Sequence, residues 1–102
     1  MRVLDFKVNK QTISKHGDFS GLIAGTRGYL RARFAFSSEW ANSKRVAVFS
    51  CADGEFPVLL KGNMCDVPDE AAACLSFKVR VVGRHDNDTM TSSRVTVIQR
   101  RY

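Results

Sequence analysis

Apolar and polar residues alternate with a period of two along most of this chain of 102 residues. In the first segment, residues 3–8, the apolar Leu4 and Phe6 alternate with the charged Asp5 and Lys7. Successive side chains of a β-strand point to opposite faces, so this alternation predicts strands with one buried face. Similar patterns predict further strands over 29–36, 44–50, 55–60, 76–83 and 93–100.

Turn-forming sequences separate these segments at short intervals. Asp53 and Gly54 lie between two predicted strands and are typical of a tight hairpin, because a type I′ turn needs positive φ at both central residues. Pro57 interrupts the next strand, and proline cannot donate to a ladder, so we expect an edge strand or a bulge there. The one helical candidate is PDEAAACL, residues 68–75, whose acidic start suits the positive end of a helix dipole.

About seven or eight short strands joined by turns predict an all-β fold. We expect an antiparallel β-sandwich, Ig-like or jelly-roll-like, with one short helix near 68–75 and a single domain over residues 1–102. A small barrel is the structural alternative. The expected inner-face residues are Leu4, Phe6, Leu30, Phe34, Phe36, Val46, Val48, Phe77, Val79, Val81, Val95 and Val97.

The chain is basic, with a net charge of +6 at pH 7. Positive charge favours an acidic partner, although no run of basic residues marks a binding tail. Five basic residues alternate with core positions and are predicted to point outward: Arg31, Arg33, Lys78, Arg80 and Arg94. If their strands are neighbours in one sheet, these side chains form a shared basic face that could bind a partner. The alternative is an ordinary solvated surface that keeps a β-protein soluble.

Aromatic residues add one further candidate. Sheets that bind RNA interleave aromatic side chains with basic ones for base stacking, whereas the phenylalanines here alternate into the core. The pattern therefore argues against sequence-specific nucleic-acid binding. Trp40, the only tryptophan, packs either at the edge of the core or as an anchor in an interface. The candidate partner-binding residues are Arg31, Arg33, Trp40, Lys78, Arg80 and Arg94.

Signatures of catalysis and metal binding are missing from the sequence pattern. His16 and His85 lie in loop-like contexts, and the three cysteines show neither a CxxC pair nor the spacing of a metal site. We interpret Cys51, Cys65 and Cys74 as reduced thiols, with a Cys65–Cys74 disulfide as the alternative. The sequence thus predicts a protein that is not an enzyme and has no catalytic residues, metal site or cofactor. It also predicts no signal peptide and no membrane segment.

Three stretches together resemble a known family. They are the aromatic strand that ends at Trp40, the AVF of 47–49, and the CDVP of 65–68 before the short helix. They are similar to the N-terminal β-sandwich domain of phage tail baseplate upper proteins and related virion fibre proteins from phages of Gram-positive hosts. This resemblance implies a structural or adaptor role in a virion, with contacts to another virion protein or to further copies of the chain as a homo-oligomer.

The relatives usually continue into a linker and a receptor-binding or fibre region, whereas this sequence ends at Tyr102. A second hypothesis is therefore a small soluble inhibitor of a host defence protein, which would act in the host bacterial cytoplasm. The basic face would then dock on an acidic surface of that protein.

Overall fold

Residues 1–101 form nine strands in two sheets in the computed structural model, and the predicted all-β sandwich is confirmed. One turn of 3-10 helix spans Ser38–Trp40, and one turn of α-helix, α1, spans Asp69–Ala72, within the predicted helical segment. Tyr102, the last residue of the predicted domain, lies outside the described residues. The strands are β1 (Arg2–Asn9), β2 (Thr12–His16), β3 (Leu30–Phe36), β4 (Lys44–Cys51), β5 (Gly54–Leu59), β6 (Met64–Asp66), β7 (Ser76–His85), β8 (Asp88–Thr91) and β9 (Val95–Ile98).

The first sheet has the strand order β2-β1-β3-β6. Its β1–β3 pair is parallel, which departs from the antiparallel pairing predicted throughout. The reason is the hairpin of β1 and β2: β2 ends beside the start of β1. The segment 17–29 needs only to cross that end of β1 before β3 runs alongside it in the same direction.

The second sheet has the order β5-β4-β7, and the far edge of β7 pairs with both β8 and β9. Ser92 lies between β8 and β9 and continues the hydrogen bonding of β7 across the break. Its N–H donates to the Val81 carbonyl at 2.9 Å, and its hydroxyl oxygen accepts from the Val81 N–H at 2.9 Å. The predicted edge position of Pro57 is confirmed, because β5 is an edge strand of this sheet.

Most of the predicted inner-face residues are buried between the two sheets, and β4 is the exception. Ala47 and Phe49 are fully buried in the core and lie opposite Val81 and Val79 of β7. The predicted phase of β4 is therefore wrong, because Val46 and Val48 lie on its outer side, where Val48 is nevertheless buried at 7% exposure. Both faces of this strand are apolar, so alternation alone could not assign the inner one.

Candidate functional site

The five outward-pointing basic residues do not form one shared face. Arg31 and Arg33 lie on β3 in the first sheet, whereas Lys78 and Arg80 lie on β7 in the second. Arg94 precedes β9, which also belongs to the second sheet. The prediction of a single basic face is wrong because the two sheets are the opposite layers of the sandwich, and their outer faces point away from each other.

Both arginines of β3 are paired with carboxylates on the neighbouring strands. Arg33 makes a two-point contact with Asp5 of β1, with Nε 2.7 Å from Oδ1 and Nη2 3.2 Å from Oδ2. The hydrogen bond to Asp5 and the charge of that carboxylate raise the pKa of Arg33. Arg31 Nε lies 3.0 Å from Oδ1 of Asp66 on β6. Each arginine lies opposite its carboxylate in the strand register, so most of its charge is compensated within the sheet.

Two of the three cations on the second sheet share a single carboxylate. Glu55 Oε2 lies 3.9 Å from Arg80 Nη2 and 4.0 Å from Arg94 Nη2. Lys78 has no ion pair among residues 1–101. Glu55, Lys78 and Arg94 line one surface cavity of about 380 Å³. Positive charge is thus in excess here, unlike on β3.

Apolar side chains lie on the same face as these cations. Val46 of β4 and Leu59 of β5 point outward, and Leu59 is 56% exposed. Val48 lies on the same side of β4 but is covered, with 7% of its surface exposed. Ile98 of β9 also points outward and is 69% exposed. We call this surface the second outer face. Its residues are Val46, Val48, Glu55, Pro57, Leu59, Lys78, Arg80, Val82, Arg94 and Ile98.

A mixture of exposed apolar side chains and arginines is what protein-binding surfaces commonly present, because the apolar part is desolvated on contact and the polar part orients the partner. The apolar part of the second outer face was not predicted, because the alternation assigned Val46 to the core. The available signal was the run of apolar residues at 46–49, which leaves neither face of β4 polar.

Trp40 is fully buried, which supports its role in core packing over that of an exposed anchor. Its indole Nε1 donates to the Lys10 carbonyl at 2.7 Å, and its ring lies 5.3 Å from that of Phe36. The ring also covers Gly83, where an added Cβ would lie 2.9 Å from two ring carbons. Trp40 therefore offers no surface to a partner, and its place among the candidate binding residues is corrected.

All three cysteines are free thiols, as the first sequence interpretation has them, and the alternative Cys65–Cys74 disulfide is absent from the described residues. Cys74 contacts Cys51, with the two Sγ atoms 2.7 Å apart, and not Cys65. Asp53 lies beside this pair, and the ligand atoms of the three side chains lie within 4.8 Å of one another. Cys65 is in β6, where burial and then the charge of Asp66 raise its pKa to about 12. The histidines stay apart from this group, and His85 Nδ1 contacts the Asn42 carbonyl at 2.9 Å.

None of the helices among the described residues is long and apolar enough to cross a membrane. No known family model matches the chain, and no curated protein matches its sequence. The resemblance to phage baseplate and fibre domains therefore stays a prediction.

Proposed function

We propose that the chain is a non-enzymatic adaptor domain that acts through protein–protein contacts, in the virion role that the resemblance implies. The observation that carries the proposal is the second outer face, where exposed apolar side chains adjoin three cations, two of which share its one carboxylate. The partner of such a surface presents apolar side chains together with acidic ones. The association with a phage particle depends on the sequence resemblance alone.

The charge of this face favours a partner other than a second copy of the chain docked through the same surface. A two-fold symmetric contact places a surface against itself, so the excess positive charge of this face would meet the same excess on the other copy. Like charges that face each other in an interface oppose association. Self-association would therefore use another surface, and the second outer face is left for a different, acidic protein.

The experiment is a pull-down with three forms of the purified protein from lysates of the bacterium that produces it. The forms are the wild type, the double variant Lys78→Glu/Arg94→Glu, and the matched control Lys7→Glu, which reverses an exposed charge on β1 in the first sheet. We expect the wild type and the control to retain a partner that the double variant loses. Capture of the same proteins by all three forms would contradict the proposed face.

Mass spectrometry of purified phage particles tests the adaptor role separately. Peptides of this chain in intact particles, together with cross-links to another virion protein, would support it. A protein absent from the particles but present early in infection would contradict the virion role.

The second candidate function, inhibition of a host defence protein, is favoured by one observation. The cations around Glu55 border an open cavity, so an acidic loop of a soluble protein could enter without any virion context. This version of the inhibitor hypothesis places the contact at Lys78 and Arg94. Arg31 and Arg33 are less suitable, because binding there must displace Asp66 and Asp5.

A further inference from the structure

Cys51 and Cys74 are brought together by the fold from positions 23 residues apart in the sequence. Cys51 is the last residue of β4, and Cys74 lies between α1 and β7. Because β4 and β7 are neighbours in the second sheet, their backbone pairing fixes the end of β4 that carries Cys51 beside the start of β7, which follows Cys74. Both side chains are half-buried, so their sulfur atoms meet at the protein surface.

The segment that carries Cys74 is held in place by a buried side chain. The Nε2 of Gln99, which is 4% exposed, donates to the carbonyl of Ala72 at 3.0 Å and to that of Cys74 at 2.8 Å. The Cys74 N–H donates to the Ala71 carbonyl at 3.0 Å. Hydrogen bonds on both sides thus fix the backbone of Cys74, and the contact with Cys51 does not depend on a free loop.

The surroundings of Cys74 favour its protonated form. Burial, the contact with Cys51 and the nearby Asp53 carboxylate raise its pKa to about 11. The thiolate is the species that attacks a disulfide, so a high pKa slows exchange at neutral pH. Attack by Cys74 itself is therefore slow at neutral pH.

We infer that Cys51 and Cys74 form a reversible disulfide by exchange with a low-molecular-weight disulfide such as oxidised glutathione. In the first step the thiolate of one cysteine attacks a sulfur of the reagent, its S–S bond breaks, and one glutathione leaves. In the second step the other cysteine attacks the mixed disulfide and releases the second glutathione. The two protein thiols lose two electrons, the reagent gains them, and the two released thiolates take up the two protons.

The bond would tie the β4–β5 hairpin to the connection between α1 and β7. Cys51 also lines the cavity that contains Lys78 and Arg94, so the bond would fix one wall of that cavity. The inference is independent of the proposed function, because it needs only the two thiols and the fold that holds them.

A metal ion is the competing occupant, since Cys51, Asp53 and Cys74 together offer three ligand atoms. Tetrahedral zinc with Zn–S bonds of about 2.3 Å holds two sulfurs about 3.8 Å apart. The sulfurs here are 2.7 Å apart, so they would approach by about 0.7 Å to form a disulfide but separate by about 1 Å to take the ion. The geometry favours the bond between the two sulfurs over a metal between them.

The test treats the reduced, folded protein with oxidised glutathione at mildly alkaline pH and follows it by intact mass and peptide mapping. We expect a loss of about 2 Da, a peptide that links Cys51 to Cys74, and full reversal by a thiol reductant. The oxidised form should also melt roughly 10 °C or more above the reduced form. This comparison uses one sequence in two redox states and needs no variant.

Two variants provide the matched controls. Cys65→Ser should still close the bond, whereas Cys74→Ser should gain one glutathione on Cys51 and form no internal link. Two free thiols at Cys51 and Cys74 after oxidation, or a link that includes Cys65, would overturn the inference. A third outcome would overturn the inference in favour of the metal. In that case the purified protein contains zinc, and its thiols react with an alkylating reagent only after a chelator is added.

Discussion

At the scale of single side chains, the position of the nearest carboxylate decides how strongly each arginine attracts an acidic partner. Arg33 has Asp5 directly across the strand pair, whereas Arg80 and Arg94 must share Glu55. An exposed ion pair contributes little to stability, but it does lower the attraction of that site for another acidic group. The alternation of the sequence predicts correctly that the arginines of β3 face outward. It could not predict their partners, because Asp5 and Asp66 belong to strands far away in the sequence.

Position 83 requires glycine, because the ring of Trp40 covers it and leaves no room for a Cβ. We expect Gly83→Ala to lower the free energy of unfolding by about 1–3 kcal/mol, because the new Cβ would overlap two ring carbons and the core must shift. Urea unfolding followed by tryptophan fluorescence measures the change.

The control for Gly83→Ala is the same substitution in a Trp40→Phe background, followed by circular dichroism because the tryptophan is then absent. The smaller ring leaves room for the Cβ, so alanine should cost less in this background than in the wild type. An equal cost in both backgrounds would show that the overlap with Trp40 is not the cause.

Among the strands, β4 shows where the hydrophobic pattern fails to predict which side chains are buried. Strands with one polar face, such as β1 and β3, are predicted with the correct inner residues because charge marks the outer side. The segment KRVAVFS has apolar residues on both sides, and only the pairing with β7 assigns Phe49 to the core. The parallel β1–β3 pair was also missed, because pairing between distant segments leaves no local signal.

The phase of β4 can be tested by two truncations on the same strand. We expect Phe49→Ala to cost about 3–5 kcal/mol of unfolding free energy, since it removes a fully buried ring from the core. Val46→Ala on the outer side should cost less than about 1 kcal/mol, because Val46 is only half-buried. Thermal and urea unfolding measure both changes. A larger cost for Val46→Ala than for Phe49→Ala would mean that the strand faces the other way.

Across the whole molecule, the two long sides of the sandwich differ. On one side, hydrogen bonds join the two sheets: the Ser93 N–H donates to the Gln11 carbonyl at 2.7 Å, and the Ile13 N–H donates to the Ser93 hydroxyl at 3.1 Å. On the other side, the chain itself crosses between the sheets in a turn from β5 to β6, in which the Lys61 N–H donates to the Met64 carbonyl at 2.9 Å. A surface cavity of about 440 Å³ lies beside this turn, with Leu59 and Met64 in its lining.

The hydrogen-bonded side can be tested through the hydroxyl of Ser93. We expect Ser93→Ala to lower the unfolding free energy by about 1 kcal/mol and to speed hydrogen exchange at the Ile13 amide, which loses its acceptor. Exchange measured by NMR shows both effects. The amides at the centre of β7 exchange through global unfolding and report the loss of stability, so exchange at Ile13 should speed up by more than theirs. Unchanged exchange at Ile13 would show that the two sheets are held together here by side-chain packing alone.

The same hydrogen-bonded side has a consequence for the order in which the protein is made. The segment 91–100 supplies partners to the start of β2, and Arg100 pairs with Leu22 and Ala24 through two backbone hydrogen bonds of 2.8 Å. Synthesis proceeds from the N-terminus, so the first hairpin emerges from the ribosome long before these late partners exist. Contacts between such distant segments fold slowly, because a long loop must close first. The sandwich therefore completes its fold only after residues 91–100 have been translated, and until then the nascent β2 edge lacks these hydrogen-bond partners.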